Sequence, residues 1–252
     1  MSDSVQSIVR AFNIIETIAE HNNSMTITEL SQKVALHKST VHRLLNTLIQ
    51  IGYVKQNTQT SQYELTLKCF EIGVSIVKQN DLISVARPYL EAMRDLSGEV
   101  VHLVIPDDKE IIYIDKVESN HTLRMHSFVG KRAPLYCTAV GKAILAEQSP
   151  QAIEHYWNSI DPIKYTSNTI VTLDAFYNEL SEIKVNEVAF DNEEQETGIR
   201  CIAISLKNYS GETIGALSIS GPLGRMTDDK MALIKPELLK IKLQISKQMG
   251  KF

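Results

Sequence analysis

The sequence predicts an α+β protein with an N-terminal winged helix-turn-helix, a helical linker and a C-terminal domain in which helices cover an antiparallel sheet. Three observations predict it. Within the first 65 residues, three segments of helical apolar spacing are followed by two short strand-like runs; a further helical stretch follows; and the remainder interleaves strand-like runs with helices. The 252 residues are 43% hydrophobic and 22% charged, enough apolar material for two cores. No uninterrupted apolar run approaches the ~20 residues of a membrane span, and the N-terminus is polar, so a cytoplasmic protein is expected. Cys69, Cys137 and Cys201 have no zinc-site spacing and are odd in number, which predicts reduced thiols and no metal. No cofactor motif is present, so none is expected. A net charge of -4 excludes a protein that coats nucleic acid indiscriminately; any such contact must come from a local basic surface.

The elements follow in order. Val5, Ile8, Phe12, Ile15 and Ala19 recur at spacings of three and four, predicting a first helix with that stripe buried. Thr26 and Glu29 have capping-box spacing, so a second short helix starts there and carries Leu30 and Val34 inward. After the turn at Ala35-Leu36-His37, a third helix places Val41, Leu44, Leu45, Leu48 and Ile49 on one face. Ser39, Arg43, Asn46 and Gln50 lie on the other, and Gly52 ends it. Residues 53–56 and 62–65 read as two strands of a wing around the polar stretch 57–61.

Residues 33–55 contain Lys33, Lys38, Arg43 and Lys55 with His37 and His42, and neither Asp nor Glu. Beside phosphates a carboxylate would be repelled, so this absence is what a DNA-facing helix requires. A solvated basic face is the alternative, and the order of three helices then a wing argues against it. In such a fold, residues near the start of the third helix reach base edges while hydroxyls and lysines fix register on the backbone. Ser39, His42 and Arg43 are therefore assigned to bases or nearby phosphates, and Lys38, Thr40, Lys55, Thr58 and Gln62 to the backbone. Capping the third helix is an equal reading of Ser39.

Leu67, Phe70, Val74 and Val77 continue at helical spacing with no evident partner in the wing domain. They read as a dimer seam, since palindromic operators are met by two-fold symmetric proteins; an intrachain connector is the alternative. A second amphipathic stretch from Leu82 to Leu96 is interrupted or begun afresh at Pro88. The boundaries expected are 1–66, 67–80 and 81–252.

Beyond residue 99, strands are predicted at 100–105, 111–117 and near 122–128, then helices after Thr138 and over 151–160 and 173–184. Strands at 200–206 and 213–220 follow, joined by the turn at 208–211, and a helix over 227–248 closes the chain. Period-two alternation places Ala216, Ser218 and Ser220 on one face of the last strand. If buried, these small hydroxylic residues leave room for a polar ligand or for a close-packed helix with water. Cys201 alternates with Ala203 on the neighbouring strand, lining the same space or acting as a plain core thiol. Small side chains over 136–141 at a helix start favour a carboxylate. Asp191, at the head of an acidic run with Glu193, Glu194 and Glu196, reads by itself as a solvated turn.

Taken in order, certain segments resemble the IclR family of bacterial transcriptional regulators over essentially the whole chain. They are Thr28-Glu29-Leu30-Ser31, Lys38-Ser39-Thr40-Val41-His42-Arg43-Leu44-Leu45, Gly52-Tyr53-Val54, Gly130-Lys131-Arg132-Ala133-Pro134-Leu135, Thr138-Ala139-Val140-Gly141-Lys142-Ala143, Asp191-Asn192-Glu193-Glu194, Gly198-Ile199-Arg200-Cys201 and Leu217-Ser218-Ile219-Ser220-Gly221-Pro222. The resemblance implies a GAF-like effector domain, dimers that often pair into tetramers, and a pocket closed over small carboxylates. Family pocket positions carry over onto Met125, Leu135, Ala139, Val140, Asp191, Cys201, Ser218 and Ser220. Residues 80–83, 123–127 and 192–196 look most like members that control pectin and hexuronate breakdown and sense 2-keto-3-deoxygluconate. Glu187-Val188 departs from the Gly-Tyr common in the family, and Ser205 from its usual proline.

Three functions are weighed. The first is a regulator, with repression the expected sign, whose effector favours one DNA-binding geometry of a dimer. The second is an enzyme using Asp191, Glu193 and His102 or His126 with Cys201 or Cys137 as nucleophile, for which no catalytic spacing speaks. The third is a DNA-bound architectural protein without ligand.

Overall fold

A computed structural model of the chain describes residues 5–77, 81–122, 127–208 and 210–249, with side chains for all of these but 74–77 and 81. The backbone divides into two compact units, Met1–Asn80 and Asp81–Phe252.

The first unit holds helices α1 (Gln6–Glu20), α2 (Ile27–Lys33) and α3 (Lys38–Gln50), a two-stranded antiparallel wing of β1 (Val54–Gln56) and β2 (Tyr63–Leu65), and α4 (Leu67–Val77). The capping box forms as the spacing requires, with Thr26 Oγ1 accepting from the Glu29 amide and the Glu29 carboxylate accepting from the Thr26 amide. The core is built from Ile14, Ile18, Leu30, Val41, Leu45, Leu48, Val54 and Tyr63. On α1 only Ile15 of the expected stripe meets this core, half-buried. Ile14 and Ile18 are buried, whereas Val5, Ile8 and Phe12 are more than half exposed and Ala19 is exposed too. The helix is apolar on two arcs, and spacing alone does not say which one meets the core. Ile49, expected on the buried face of α3, also lies outside at 37% exposure.

The second unit begins with α5 (Asp81–Ser97), followed by β3 (Val100–Asp107), β4 (Glu110–Val117), β5 (Arg132–Pro134), α6 (Ala139–Leu145), α7 (Pro150–Asn158) and α8 (Leu173–Asn186). Next come β6 (Ala189–Asn192), β7 (Ile199–Lys207), β8 (Thr213–Pro222) and α9 (Asp228–Gln248). Pro88 does not break α5, because Leu82, Ala86, Leu90 and Met93 bury its inner face over the whole length. The six strands form one antiparallel sheet in the order β5-β4-β3-β8-β7-β6. Of the strand expected near 122–128, residues 123–126 lie outside the described residues and 122, 127 and 128 are not in a strand. Among the described residues the next strand after β4 is β5, further on.

Both faces of this sheet are buried, and alternate residues of each central strand serve different cores. Val101, Leu103, Ile202, Ile204, Leu217 and Ile219 pack with α5 and α9, while Ala203 and Ala216 pack with α6, α7 and α8. Gly215 is demanded by proximity, since a Cβ there would sit 2.4 Å from the Val104 carbonyl oxygen.

Candidate functional site

In the first unit, α3 presents Lys38, Ser39, His42 and Arg43 to solvent, with Thr40 half-buried. Its N-cap is His37, which makes no side-chain capping bond, and its first turn carries no acidic residue. Ser39 is thus not the cap, and the amides at the head of a 13-residue helix face outward without a side-chain acceptor. The wing is partly occupied by its own contacts. Lys55 lies 3.0 Å from Glu64, and Gln62 accepts from Ser24 Oγ at 2.8 Å, while Thr58 stands exposed at the wing. Thr66 Oγ1 donates to the Gly52 carbonyl and Lys68 Nζ to that of Ile51, tying the start of α4 to the end of α3. Leu67 and Phe70 stand 77% and 68% exposed.

In the second unit, one sheet face gathers the polar residues that alternation selects. Register sets Asp191 beside Cys201 and Cys201 beside Ser220; one step along, Ala189, Ala203, Ser218 and His102 stand in a row. Ser218 and Ser220 are each 4% exposed, so the hydroxylic face is interior. Asp191 is buried as well, accepting the Glu194 amide at 2.8 Å. The solvated turn expected of the acidic run is therefore corrected. The chain tightens after β6 with Glu193 at φ 61°, and Thr166 and Thr169 donate to the Glu193 and Glu194 carbonyls, which turns Glu194 inward and leaves Glu196 outside.

Leu135, Ala139 and Val140 are buried in the core between this face and α6. Thr138 caps α6 through the Gly141 amide, which leaves the Ala139 and Val140 amides for other acceptors. Gly141 is obligatory here, because a Cβ would come within 2.2 Å of the Leu135 carbonyl oxygen. Met125 and His126 lie outside the described residues.

The next residue of α6 escaped the sequence reading. Lys142 is fully buried, its ammonium 2.6 Å from Glu179 and 2.5 Å from Glu194. Burial alone would strip its proton, but Glu194 and Glu179 hold its pKa above the ordinary value and it stays charged. One cation thus serves Glu179, Glu194 and the nearby Asp191. Burial pushes Asp191 from 3.8 to about 6, against the pull of the Glu194 amide and Lys142. Glu194 is raised to about 7, again mainly by burial. The signal was present, since a lysine inside an otherwise apolar short helix needs a buried acid.

Cys137 and Cys201 have thiols raised by burial, Cys137 to about 12, and nearby carboxylates add to the shift. A nucleophilic cysteine needs the opposite environment. Among the described residues no group of three or more His, Cys, Asp and Glu is placed to hold a metal, and no helix is long and apolar enough to cross a membrane.

Both departures from the family pattern land in one cluster. Glu187 ends α8 in the left-handed conformation at φ 57°, where glycine costs nothing, and its carboxylate lies 3.3 Å from Lys242. Ser205 donates to Glu147, which also pairs with Lys207 and Lys242.

A winged helix-turn-helix followed by an α+β unit with a polar interior face defines a DNA-binding transcriptional regulator. Residues 7–58 match the family described as IclR helix-turn-helix domain, and residues 74–247 match Bacterial transcriptional regulator IclR C-terminal. The HTH-type transcriptional regulator KdgR of Escherichia coli K12 is 37% identical over 98% of this chain and 94% of its own length. The transcriptional repressor IclR of the same organism is 32% identical over 98% of this chain and 90% of its own. The crystal structure of Thermotoga maritima IclR superposes with a TM-score of 0.84 at 28% identity, covering 98% of this chain and all of that one. The chain belongs to the IclR family, and within it resembles the KdgR regulators.

Proposed function

We propose that the protein is a repressor whose hold on a palindromic operator is controlled by a small keto or hydroxy acid, with 2-keto-3-deoxygluconate the first candidate. The observation that carries this reading is one sheet face that carries Asp191, Cys201 and Ser220 in one row and Ser218 in the next, with the carboxylate and both hydroxyls buried. Buried hydroxyls and a carboxylate of raised pKa are costly unless a polar partner meets them. The amides of Ala139 and Val140, in the first turn of α6, suit the ligand's carboxylate, and Asp191, mostly ionised at neutral pH, suits its hydroxyls as an acceptor. Met125 joins this set by family resemblance.

On the DNA side, Ser39, His42 and Arg43 read bases or adjacent phosphates, while Lys38, Thr40, Lys55, Thr58 and Gln62 hold the backbone. The uncapped head of α3 and the absence of carboxylates from 33–55 support this assignment. The working organisation is 1–66 for DNA, 67–80 as linker and 81–252 for effector binding. Two copies form the functional unit, as a dimer or a dimer of dimers. Supporting this are the exposed apolar residues Val5, Ile8, Phe12, Leu67 and Phe70, and an apolar groove of about 570 Å³ between α1 and α3. Effector binding favours one dimer geometry over another and so shifts operator occupancy.

The test screens keto and hydroxy acids by thermal shift on the full chain, then titrates operator DNA with the hits. The expected result is stabilisation by a sugar-derived keto acid and release of DNA, both blunted in Ser218→Ala/Ser220→Ala. An acid response that survives that double variant unchanged removes these hydroxyls from the site, and no response to any acid overturns effector control.

A further inference from the structure

His102 stands on β3 directly opposite Ser218, in the same row as Ala203 and Ala189. Directly opposed residues of an antiparallel pair have Cβ atoms roughly 5 Å apart, so its ring borders the hydroxylic face. The side chain is 2% exposed. Its Nε2 lies 2.8 Å from Ser127 Oγ, and its ring meets that of Tyr113 edge-on, with centroids 5.0 Å apart. The phenol of Tyr113 is in turn close enough to Asp191, Cys201 and Cys137 to have its pKa raised by each of them, so ring and phenol adjoin the same interior space. The other imidazole nitrogen, Nδ1, is buried and makes no hydrogen bond. Burial, with Lys116 and Lys131 nearby, depresses the pKa to about 3, so the ring is neutral at every physiological pH and carries one N–H and one lone pair.

A buried imidazole nitrogen without a partner is a standing cost, removed only when a donor or acceptor comes to it. The row it stands in is otherwise small, alanine and serine, so no large side chain of that row stands between His102 and Ser218. Resting on the effector reading above, we propose that His102 is a specificity-determining residue: its Nδ1 hydrogen-bonds a hydroxyl of the effector, so that the pocket selects a polyhydroxylated keto acid over a short unsubstituted one. His102 and Ser218, directly opposed, take the hydroxylated tail, and the acid head that both compounds share lies toward Ser220 in the neighbouring row. Sites that bury a polar group for one substrate hydroxyl discriminate strongly against an analogue lacking it, because the group is then left unpaired.

The experiment uses the full-length protein and two probes, 2-keto-3-deoxygluconate and pyruvate, with binding followed by calorimetry and by operator release. Wild type is expected to favour the hydroxylated acid by tenfold or more. His102→Phe keeps an aromatic ring against Tyr113 and is expected to lose that preference while leaving pyruvate binding and ligand-free operator affinity unchanged. His102→Asn, whose amide stands where Nδ1 stood, is expected to recover part of it. Where the phenyl ring prevents folding, His102→Leu, which has no polar group, makes the same test. If wild type binds both acids and the ratio survives in His102→Phe or His102→Leu, His102 does not read the tail and this inference falls while the pocket stands. If neither acid binds wild type, or binding ignores Ser218→Ala/Ser220→Ala, the effector reading itself fails and takes this inference with it.

Discussion

Replacing Asp191 by Asn makes stability depend less on pH, and the amount follows from the burial of this carboxyl. Asp191 is 3% exposed, and its pKa rises from 3.8 to about 6 on folding. The folded state therefore keeps the proton over a range in which the unfolded chain has released it. The stability this contributes is fully present below about pH 4 and lost as the pH rises through 6. Two units at about 1.4 kcal/mol each give roughly 3 kcal/mol. Asparagine stays neutral at all pH and can still accept the Glu194 amide. Urea unfolding of the full chain, followed by the fluorescence of Trp157, reads the right region, because this only tryptophan packs on Phe176 in the same core as α6. The stability of Asp191→Asn relative to wild type should climb by about 2.5 kcal/mol between pH 4 and 7.5, the remainder falling below pH 4. A difference that stays flat across this range, or falls, refutes the assignment of a buried, proton-retaining Asp191.

Other expectations follow from single contacts. Arg43→Ala, a change on an exposed face, should weaken specific operator binding by about tenfold to a hundredfold in a gel shift without altering the melting temperature; unchanged affinity would remove Arg43 from the interface. Gly141→Ala drives a methyl group into the Leu135 backbone and should cost about 3 kcal/mol or prevent soluble expression, and a wild-type unfolding curve would contradict the packing of α6. Glu187→Gly relieves a left-handed residue and sacrifices an ion pair whose carboxylate is exposed, while Lys242 keeps Glu147, so it should stabilise the chain by about 0.5–1 kcal/mol in denaturant titration. A loss of stability would mean that the Lys242 pair outweighs the strain.

The elements with long, regular patterns were readable from the residues. The capping box at Thr26, the cap at Thr138 and the alternation of β7 and β8 each rest on local chemistry that the rest of the fold does not override. Short edge strands were not: β5 and β6 span three and four residues, too few for alternation to register. The face of α1 that enters the core was illegible for another reason, since apolar residues cover both arcs and only packing against Leu45 and Leu48 picks Ile14 and Ile18. The pocket residues on β7 and β8 came from period two, but the burial of Asp191 and Glu194 depends on threonines about 25 residues earlier that seize the carbonyls of the acidic turn. Lys142 was concealed by its neighbours, being the one charged residue in a helix of buried small and apolar side chains.

The alternation of β8 has a mechanical side. Ser218 and Ser220 face one interior, and Leu217 and Ile219, their immediate chain neighbours, face the other against α5 and α9. The sheet is thus a diaphragm stretched between two close-packed chambers, and close-packed interiors transmit displacement rather than absorb it. Leu82, in the first turn of α5, would lie 3.1 Å from a Cβ on Gly215, so the far chamber touches the helix that opens this unit. A residue displaced on the serine side shifts a strand whose next side chain is packed in the other core, beside the root of α5.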